Sequence, residues 1–219
     1  MRPESTGVGR PAEHTRAQIT RAAIAVADVD GFAAVTMRRV ASEIGTGAAT
    51  LYRHLDNRRD LVDLMIDAVY GELELRLTGR GWLADLLAVG VQSSGIVERH
   101  PWFTEAVNEQ PVPSGPNVVA LIEHCLAALA DHPASGARKM EAIAVLGSMM
   151  WLHAAFLARR SLPEVLLEQA AYLQHVARDG RHPHLAAALA APEPAAVPDG
   201  PEELVGRLLA PILEGLLAR

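Results

Sequence analysis

Apolar residues recur along most of this chain at intervals of three and four, the spacing of one face of an α-helix. In the first such segment, 12–30, they are Ile19, Ala22, Ala23, Val26 and Ala27. The same spacing predicts a helix from Asn57 to about Thr78 and, after the break at Gly79–Arg80–Gly81, helices at about 82–99, 102–109, 117–131, 136–159, 163–178, 183–190 and 201–218. No segment of alternating Val, Ile and Thr suggests a sheet. The pattern predicts an all-α protein.

The stretch 35–61, VTMRRVASEIGTGAATLYRHLDNRRDL, combines helix starts with a glycine corner. Thr36 is a good N-cap, because its hydroxyl can accept a hydrogen bond from a free amide of the first turn. Gly45 suits the left-handed backbone that ends many helices. We expect Thr46 to cap a second helix, from about Gly47 to His54. Two helices joined by so tight a turn form a helix-turn-helix, whose second helix enters the DNA major groove.

The outward side chains of this unit favour DNA binding over a structural hairpin, which would show the same apolar spacing. They are hydrogen-bond donors suited to phosphates and base edges. The set is Arg38, Arg39, Thr50, Tyr52, Arg53, His54, Arg58 and Arg59.

Individual roles follow from side-chain chemistry. We expect Thr36 to contact a phosphate and Arg38 to contact a guanine in a bidentate way. Tyr52, His54 and Arg58 are expected to bind the DNA backbone. The predicted DNA-binding residues are Thr36, Met37, Arg38, Ala48, Ala49, Thr50, Tyr52, His54 and Arg58, of which the two alanines offer only methyl contacts.

The run from Thr15 to Leu61 resembles the DNA-binding domain of the tetracycline-repressor (TetR) family. The resemblance is carried by the Gly31–Phe32 turn, by Thr36–Met37–Arg38 and above all by TLYRHL at 50–55, followed by Asn57–Arg58. Tyr52, His54 and Arg58 match that family's phosphate-contacting positions. Trp82 and the run His100–Pro101–Trp102 are similar to the regulatory domain of the tetracycline-repressor-like branch.

The resemblance implies a three-helix DNA-binding domain followed by a helical domain for ligand binding and dimerisation. We expect a flexible arm at 1–11, the DNA-binding domain at 12–60, a connecting helix at 61–78 and the C-terminal domain at 79–219. Segments 138–156 and 202–217 are apolar around much of their circumference, and the resemblance implies that two such helices from each protomer form a homodimer interface. A two-fold dimer would read a palindromic operator.

Charge is divided unevenly along the chain. The formal net charge is −6, yet residues 1–60 contain nine Arg and seven Asp or Glu, a net of +2, and the remainder carries −8. Local potential governs attraction to phosphate, so this division is compatible with DNA binding.

The polar start and the absence of an apolar run of ~18 residues predict a cytoplasmic protein without a membrane segment. A single cysteine, Cys125, excludes an intrachain disulfide.

A small-molecule effector is expected to bind the C-terminal domain, where most of the aromatic residues lie. An apolar pocket with a few polar groups is the usual form of such a site, although residues of this kind are more often ordinary core. His153 is the candidate polar contact; the alternative is a core histidine bonded to a carbonyl. The predicted ligand-binding residues are Trp82, Trp102, Phe103, His124, Met149, His153, Phe156 and Tyr172.

No catalytic motif is present, so we expect no enzyme activity and no cofactor. His175, His182 and His184 lie close in sequence, but their spacing fits no closed zinc pattern. We therefore expect a transcriptional regulator, most simply a repressor. Its effector would shift the connecting helix and so change the separation of the two reading helices. The alternative is an effector-independent DNA-binding or architectural helical protein.

Overall fold

The computed structural model describes residues 14–110, 114–157, 162–190 and 201–218, and these form α-helices without any strand. In chain order the helices are α1 (Arg16–Asp30), α2 (Met37–Glu43), α3 (Ala48–Leu51), α4 (Arg58–Tyr70), α5 (Trp82–Arg99), α6 (Phe103–Glu109), α7 (Pro116–Ala128), α8 (Gly136–Leu157), α9 (Leu162–Ala177), α10 (Pro183–Leu189) and α11 (Pro201–Leu217), with a 3-10 turn at Phe32–Ala34. The predicted arm at 1–11 lies outside the described residues. The predicted all-α fold is confirmed.

Local capping signals set the first helices. Thr15 and Gln18 form a capping box at the start of α1, in which each side chain bonds the other residue's backbone amide. Thr36 caps α2, because its hydroxyl accepts from the Arg39 amide at 3.1 Å. Gly45 follows α2 with φ +70°, the left-handed conformation that the sequence predicts. The helix-turn-helix therefore forms where the sequence places it.

The second helix of this motif is shorter than predicted. It spans Ala48–Leu51, and the chain continues to His54 in tight turns. Its N-cap is Gly47 and not Thr46, which was the predicted cap. The Thr46 hydroxyl donates instead to the Thr50 hydroxyl at 2.9 Å, and no backbone amide among the described residues donates to it.

Helix α4 ends at Tyr70, so the predicted continuation to Thr78 is wrong. The residues after Gly71 alternate between leucine and polar side chains, and Leu73 is buried whereas Leu77 is exposed. Such alternation suits an extended chain with one face turned inward. The side chain of Gln92 on α5 holds this segment by accepting from the Glu74 amide at 2.7 Å and donating to its carbonyl at 3.2 Å.

The C-terminal domain is organised around α5, α8 and α11, which pack against one another. Helix α11 buries one residue per turn on a single stripe, Val205, Leu209, Leu213 and Leu217. Helix α9 packs against α10, and its side chains Val165, Leu167 and Tyr172 are exposed.

Asp67 of α4 joins the two domains by capping α7. Its Oδ1 accepts from the backbone amides of Asn117 at 2.9 Å and Val118 at 3.1 Å, and the Asn117 side chain donates to Oδ2 at 3.0 Å. The Asp67 residue is 7% exposed, so these donors satisfy a buried carboxylate. Gly115 allows the close approach, because a Cβ there would lie 2.2 Å from Oδ1 of Asp67.

We predict that Gly115→Ala lowers the free energy of unfolding by about 1–3 kcal/mol, because the added methyl group would push the Asp67 carboxylate off its donors. Chemical denaturation would measure the change. Gly136→Ala is the matched control, since a Cβ at Gly136 meets nothing within 4 Å. Equal stability of the two variants would contradict the close packing at this joint.

Candidate DNA interface and interdomain junction

Two adjacent arginines of α2 have opposite environments. Arg38 is exposed and has no hydrogen-bond or ion-pair partner among the described residues. Arg39 bonds Asp30 at 3.0 Å and Glu43 at 2.6 Å, and both carboxylates raise its pKa. Arg38 is therefore available to a base edge, whereas Arg39 braces α2 against the end of α1.

The other predicted DNA-binding residues of the motif divide by burial. Thr36 and Ala49 are exposed, Tyr52 is 54% exposed, and Ala48 and Thr50 are half-buried. Met37 is 7% exposed and packs in the core, so the prediction that its side chain contacts DNA is wrong. Met37 is buried because it lies on the apolar face of α2, whereas the charged residues of the helix lie on the opposite face.

His54 and Arg58 are less open to DNA than predicted. Nε2 of His54 is buried and has no hydrogen-bond partner among the described residues, and the His54 carbonyl accepts from Nε of Arg16 at 2.9 Å. The Arg58 guanidinium bonds the Val35 carbonyl and the carboxylate of Glu109 on α6. Both residues therefore already make contacts that join separate parts of the fold.

Arg53 and Arg59 also lie exposed beside the motif without a hydrogen-bond or ion-pair partner in the described part of the chain. They were recognised as outward donors but not assigned to the site. The sequence feature that could have identified them is their basic charge: Arg53 lies within TLYRHL at 50–55, and Arg59 follows Asn57–Arg58. They extend the unpaired positive surface of the reading unit beyond Arg38.

A second set of polar contacts joins α1 to the corner between α5 and α6. His100 lies between two carboxylates, with Nδ1 2.7 Å from Asp28 and Nε2 2.9 Å from Glu72. Both contacts are satisfied only when both ring nitrogens carry a proton. The indole of Trp102 also donates to Asp28, at 2.6 Å. Asp28 is the residue of this junction that sequence reasoning missed, because its partners lie more than 70 positions away.

Glu72 connects this junction to α5. Its carboxylate accepts from Arg99 at 2.7 Å as well as from His100. Burial acts to raise the Glu72 pKa, but the hydrogen bonds from Arg99 and His100 outweigh burial and lower the pKa from its ordinary value of 4.5. The charged form of Glu72 is therefore favoured in the folded protein.

The end of α4 is anchored in an aromatic cluster. The Tyr70 hydroxyl accepts from the Trp151 indole at 2.9 Å, and the Tyr70 ring meets Phe103 edge-on at 5.8 Å. Phe103 and Trp151 lie 4.5 Å apart and are buried. Burial raises the pKa of Tyr70, which keeps its hydroxyl protonated.

The predicted ligand-binding residues do not share one cavity in the described part of the chain. Trp102 lies at the junction with α1 and Phe103 in the aromatic cluster, so neither faces a ligand as predicted. Trp82 packs on His132 at 5.2 Å, His124 is half-buried, Met149 is 39% exposed and Tyr172 is 65% exposed. The side chains of His153 and Phe156 lie outside what the structure describes.

A cavity of about 230 Å³ lies elsewhere, between the reading unit and the start of α7. Its lining includes Arg16, His54, Asp63 and Pro116, and none of the predicted ligand-binding residues.

Among the described residues no three metal-ligating side chains come together, including those around His175 and His182. Burial raises the pKa of Cys125 to about 12, so its thiol stays protonated. None of the helices described has the length and hydropathy to cross a bilayer.

Comparison with known sequences decides the family. Residues 19–65 match the family model described as bacterial regulatory proteins, tetR family, and residues 75–219 match the tetracyclin repressor-like C-terminal domain. The chain belongs to the tetracycline-repressor family. Proteins of this TetR family are transcriptional regulators and not enzymes.

Two proteins that are similar in sequence to this TetR-family chain are described as transcriptional regulators. An HTH-type transcriptional regulator from Saccharopolyspora erythraea is 34% identical over 131 residues, 59% of this chain and 55% of the relative. The HTH-type transcriptional repressor DrrR1 from Streptomyces coeruleorubidus is 35% identical over 111 residues, 50% of this chain and 41% of DrrR1. The chain thus spans about half the length of the curated relatives it matches.

Solved structures agree with the TetR-family fold. The transcription regulator SCO7704 from Streptomyces coelicolor is 27% identical, with a TM-score of 0.67 over 96% of this chain and 97% of the other. ActR from the same species, in complex with actinorhodin, is 24% identical, with a TM-score of 0.75 over 94% and 97% of the two chains. At that identity the likeness to ActR concerns the fold.

We predict that Glu72→Gln lowers the free energy of unfolding by about 1 kcal/mol or less at neutral pH, because the carboxylate is partly exposed. Its folded pKa lies below the unfolded value, so its stabilisation is present above about pH 4.5 and is lost as the pH falls through the folded value. Urea unfolding of wild type and variant at neutral and acidic pH would measure this.

Glu74→Gln is the control for this experiment, since the Glu74 carboxylate makes no hydrogen bond among the described residues and only its backbone is held. A stability difference between wild type and Glu72→Gln that persists unchanged at acidic pH would contradict a role for the Glu72 charge.

Proposed function

We propose that this chain is a repressor that binds a palindromic DNA operator as a homodimer and is released by a small, mostly apolar effector. The observation that carries the proposal is the exposed, unpaired Arg38 on a helix-turn-helix whose opposite face is packed into the protein. Membership of the TetR family supports the DNA-binding role.

The reading surface combines few residues of complementary chemistry. Arg38 is suited to a guanine edge, Thr36 and Tyr52 to phosphates, and Ala49 to a thymine methyl group. The buried residues Val40 and Leu51 hold α2 and α3 in one orientation. The backbone of the reading unit is thereby fixed before DNA binds, so that only its exposed side chains remain to be ordered.

Exposed apolar side chains support a dimer through α8 and α11. Met140 is 45% exposed and Met149 39% exposed on α8, and Leu208 is 43% exposed on α11. These exposed apolar side chains lie outside the buried faces of their helices, so α8 and α11 present apolar surface beyond the protomer core. A two-fold dimer also doubles the number of base contacts that one short helix can make.

Coupling to an effector is supported by the contacts of α4. This helix begins beside α3 and ends at Asp67 and Tyr70, which bond α7 and α8. A ligand that binds one arrangement of α7 and α8 more tightly would bias the position of α4. ActR has been observed with actinorhodin, which is an example of a ligand-bound protein with this fold.

We predict that wild type binds the duplex upstream of its own gene more tightly than a scrambled duplex, with an affinity that falls steeply as salt increases. Arg38→Ala should weaken that binding about 10- to 100-fold, as expected for one lost bidentate base contact. Fluorescence anisotropy would measure both effects.

Arg39→Ala is the matched control, because it removes the same charge from the next position of α2 while its side chain faces Asp30 and Glu43. It should change the affinity less than about threefold. Equal losses for the two variants would contradict the assignment of Arg38 to the operator. Binding that no apolar ligand weakens would favour the effector-independent alternative.

We predict that Leu208→Glu converts a wild-type dimer into a monomer, because a buried unpaired carboxylate opposes association. Light scattering after size-exclusion chromatography would distinguish the two masses. Val119→Glu is the control, since Val119 is 64% exposed and belongs to α7, which is not part of the proposed interface. Retention of the dimer by Leu208→Glu would exclude the proposed interface.

A further inference from the structure

The Arg58 guanidinium has two candidate anionic partners, one predicted from the sequence and one present in the structure. Sequence analysis assigns it to a DNA phosphate, but in the structure its Nη1 donates to the carboxylate of Glu109. Glu109 is the last residue of α6 and belongs to the C-terminal domain, 51 positions away in sequence. The contact therefore joins a predicted DNA-binding residue directly to the regulatory domain.

The rest of the Arg58 side chain is held in place. Its Nε donates to the Val35 carbonyl at 2.8 Å, and the guanidinium lies 4.8 Å from the centre of the Phe32 ring. Val35 immediately precedes Thr36, the cap of α2. The guanidinium is thus fixed beside the start of α2, with Glu109 as the anion bound to it.

The ion pair with Glu109 is open enough for exchange. The Arg58 side chain is 34% exposed and that of Glu109 is 46% exposed. Ion pairs at this exposure contribute little stability, whereas a charge-assisted bond from arginine to phosphate is a strong contact. Glu109 occupies Nη1 and Val35 occupies Nε, so a phosphate would have to bind Nη2 beside the Glu109 carboxylate or displace that carboxylate. In either position the negative charge of Glu109 opposes the phosphate.

We propose that Glu109 competes with the operator phosphate for Arg58, so that the C-terminal end of α6 sets how readily Arg58 is released to DNA. This inference rests on the proposed function, because it takes Arg58 as a DNA contact. In this proposal Glu109, which lies outside the DNA-binding domain at the end of α6, regulates the affinity of the protein for DNA.

The test is a double-mutant cycle on operator affinity. Glu109→Gln keeps the shape of the side chain but removes its charge, and we expect it to tighten binding to the duplex upstream of the gene about two- to fivefold. In an Arg58→Ala background the gain should fall to the general effect of removing one negative charge near DNA. Anisotropy titrations of the four proteins, each confirmed as a folded dimer, would give the coupling.

Glu105→Gln is the matched control. Glu105 is exposed on the same helix and its carboxylate has no partner among the described residues, so its removal reports the general effect of one charge fewer near DNA. A larger gain for Glu109→Gln than for Glu105→Gln, abolished by Arg58→Ala, would support the competition. Equal gains for the two variants, an excess of Glu109→Gln over Glu105→Gln that survives Arg58→Ala, or weaker binding by Glu109→Gln would overturn it.

The proposed function is tested separately by the wild-type titration. Wild type that binds the duplex no better than its scrambled control would overturn the proposed function and, with it, the competition. Specific binding by wild type together with no coupling between Arg58 and Glu109 would overturn the competition alone.

Discussion

The buried carboxylate of Asp67 constrains how the two domains of this protein meet. A charge removed from water is strongly unfavourable unless donors surround it, and here the donors come from the first turn of α7 and the Asn117 side chain. Separation of α4 from α7 would leave that charge unpaired. Helix α4 is therefore part of both domains: one end supports the reading unit, and the other is bound to the regulatory domain.

Three further contacts surround that joint and reach different helices. Tyr70 binds Trp151 on α8, Glu72 binds His100 and Arg99 at the end of α5, and Asp28 ties α1 to the same corner. These links are polar and directional, whereas the packing around them is apolar. Helices α5, α7 and α8 are consequently joined to the DNA-binding domain and α4 through defined atoms.

Local signals predicted most of the fold. Thr15, Thr36 and Asn57 cap helices through amides three residues away, so the information lies within one turn of sequence. The end of α4 was mispredicted because Leu73 and Leu75 are compatible with a helix as well as with an extended segment. The extended conformation is held by the Gln92 side chain on α5, which bonds the backbone amide and carbonyl of Glu74. Tertiary contacts of this kind override a local pattern.

The site was predictable in outline and not in detail. The positions of Arg38 and Tyr52 on an exposed motif follow from periodicity, but the pairing of Arg39 depends on where α1 ends. Arg58 and Glu109, like Asp28 and His100, meet across a long stretch of chain without any local signal. Of the aromatic residues chosen for a ligand pocket, Trp102 and Phe103 are buried in the core, since composition does not distinguish the two uses.

The early end of α4 has a mechanical consequence. With 13 residues the helix is ~20 Å long, well short of the distance that a helix continuing to Thr78 would span. A rotation of ~10° about its far end would displace the reading unit by ~3.5 Å, and a two-fold partner would double the change to ~7 Å. In the dimer that we propose, such a displacement would change the separation of the two reading helices relative to the ~34 Å repeat of DNA. Because the displacement scales with the length of the arm, the short α4 moves the reading unit less per degree than a helix continuing to Thr78 would, and a given change in spacing requires a larger rotation.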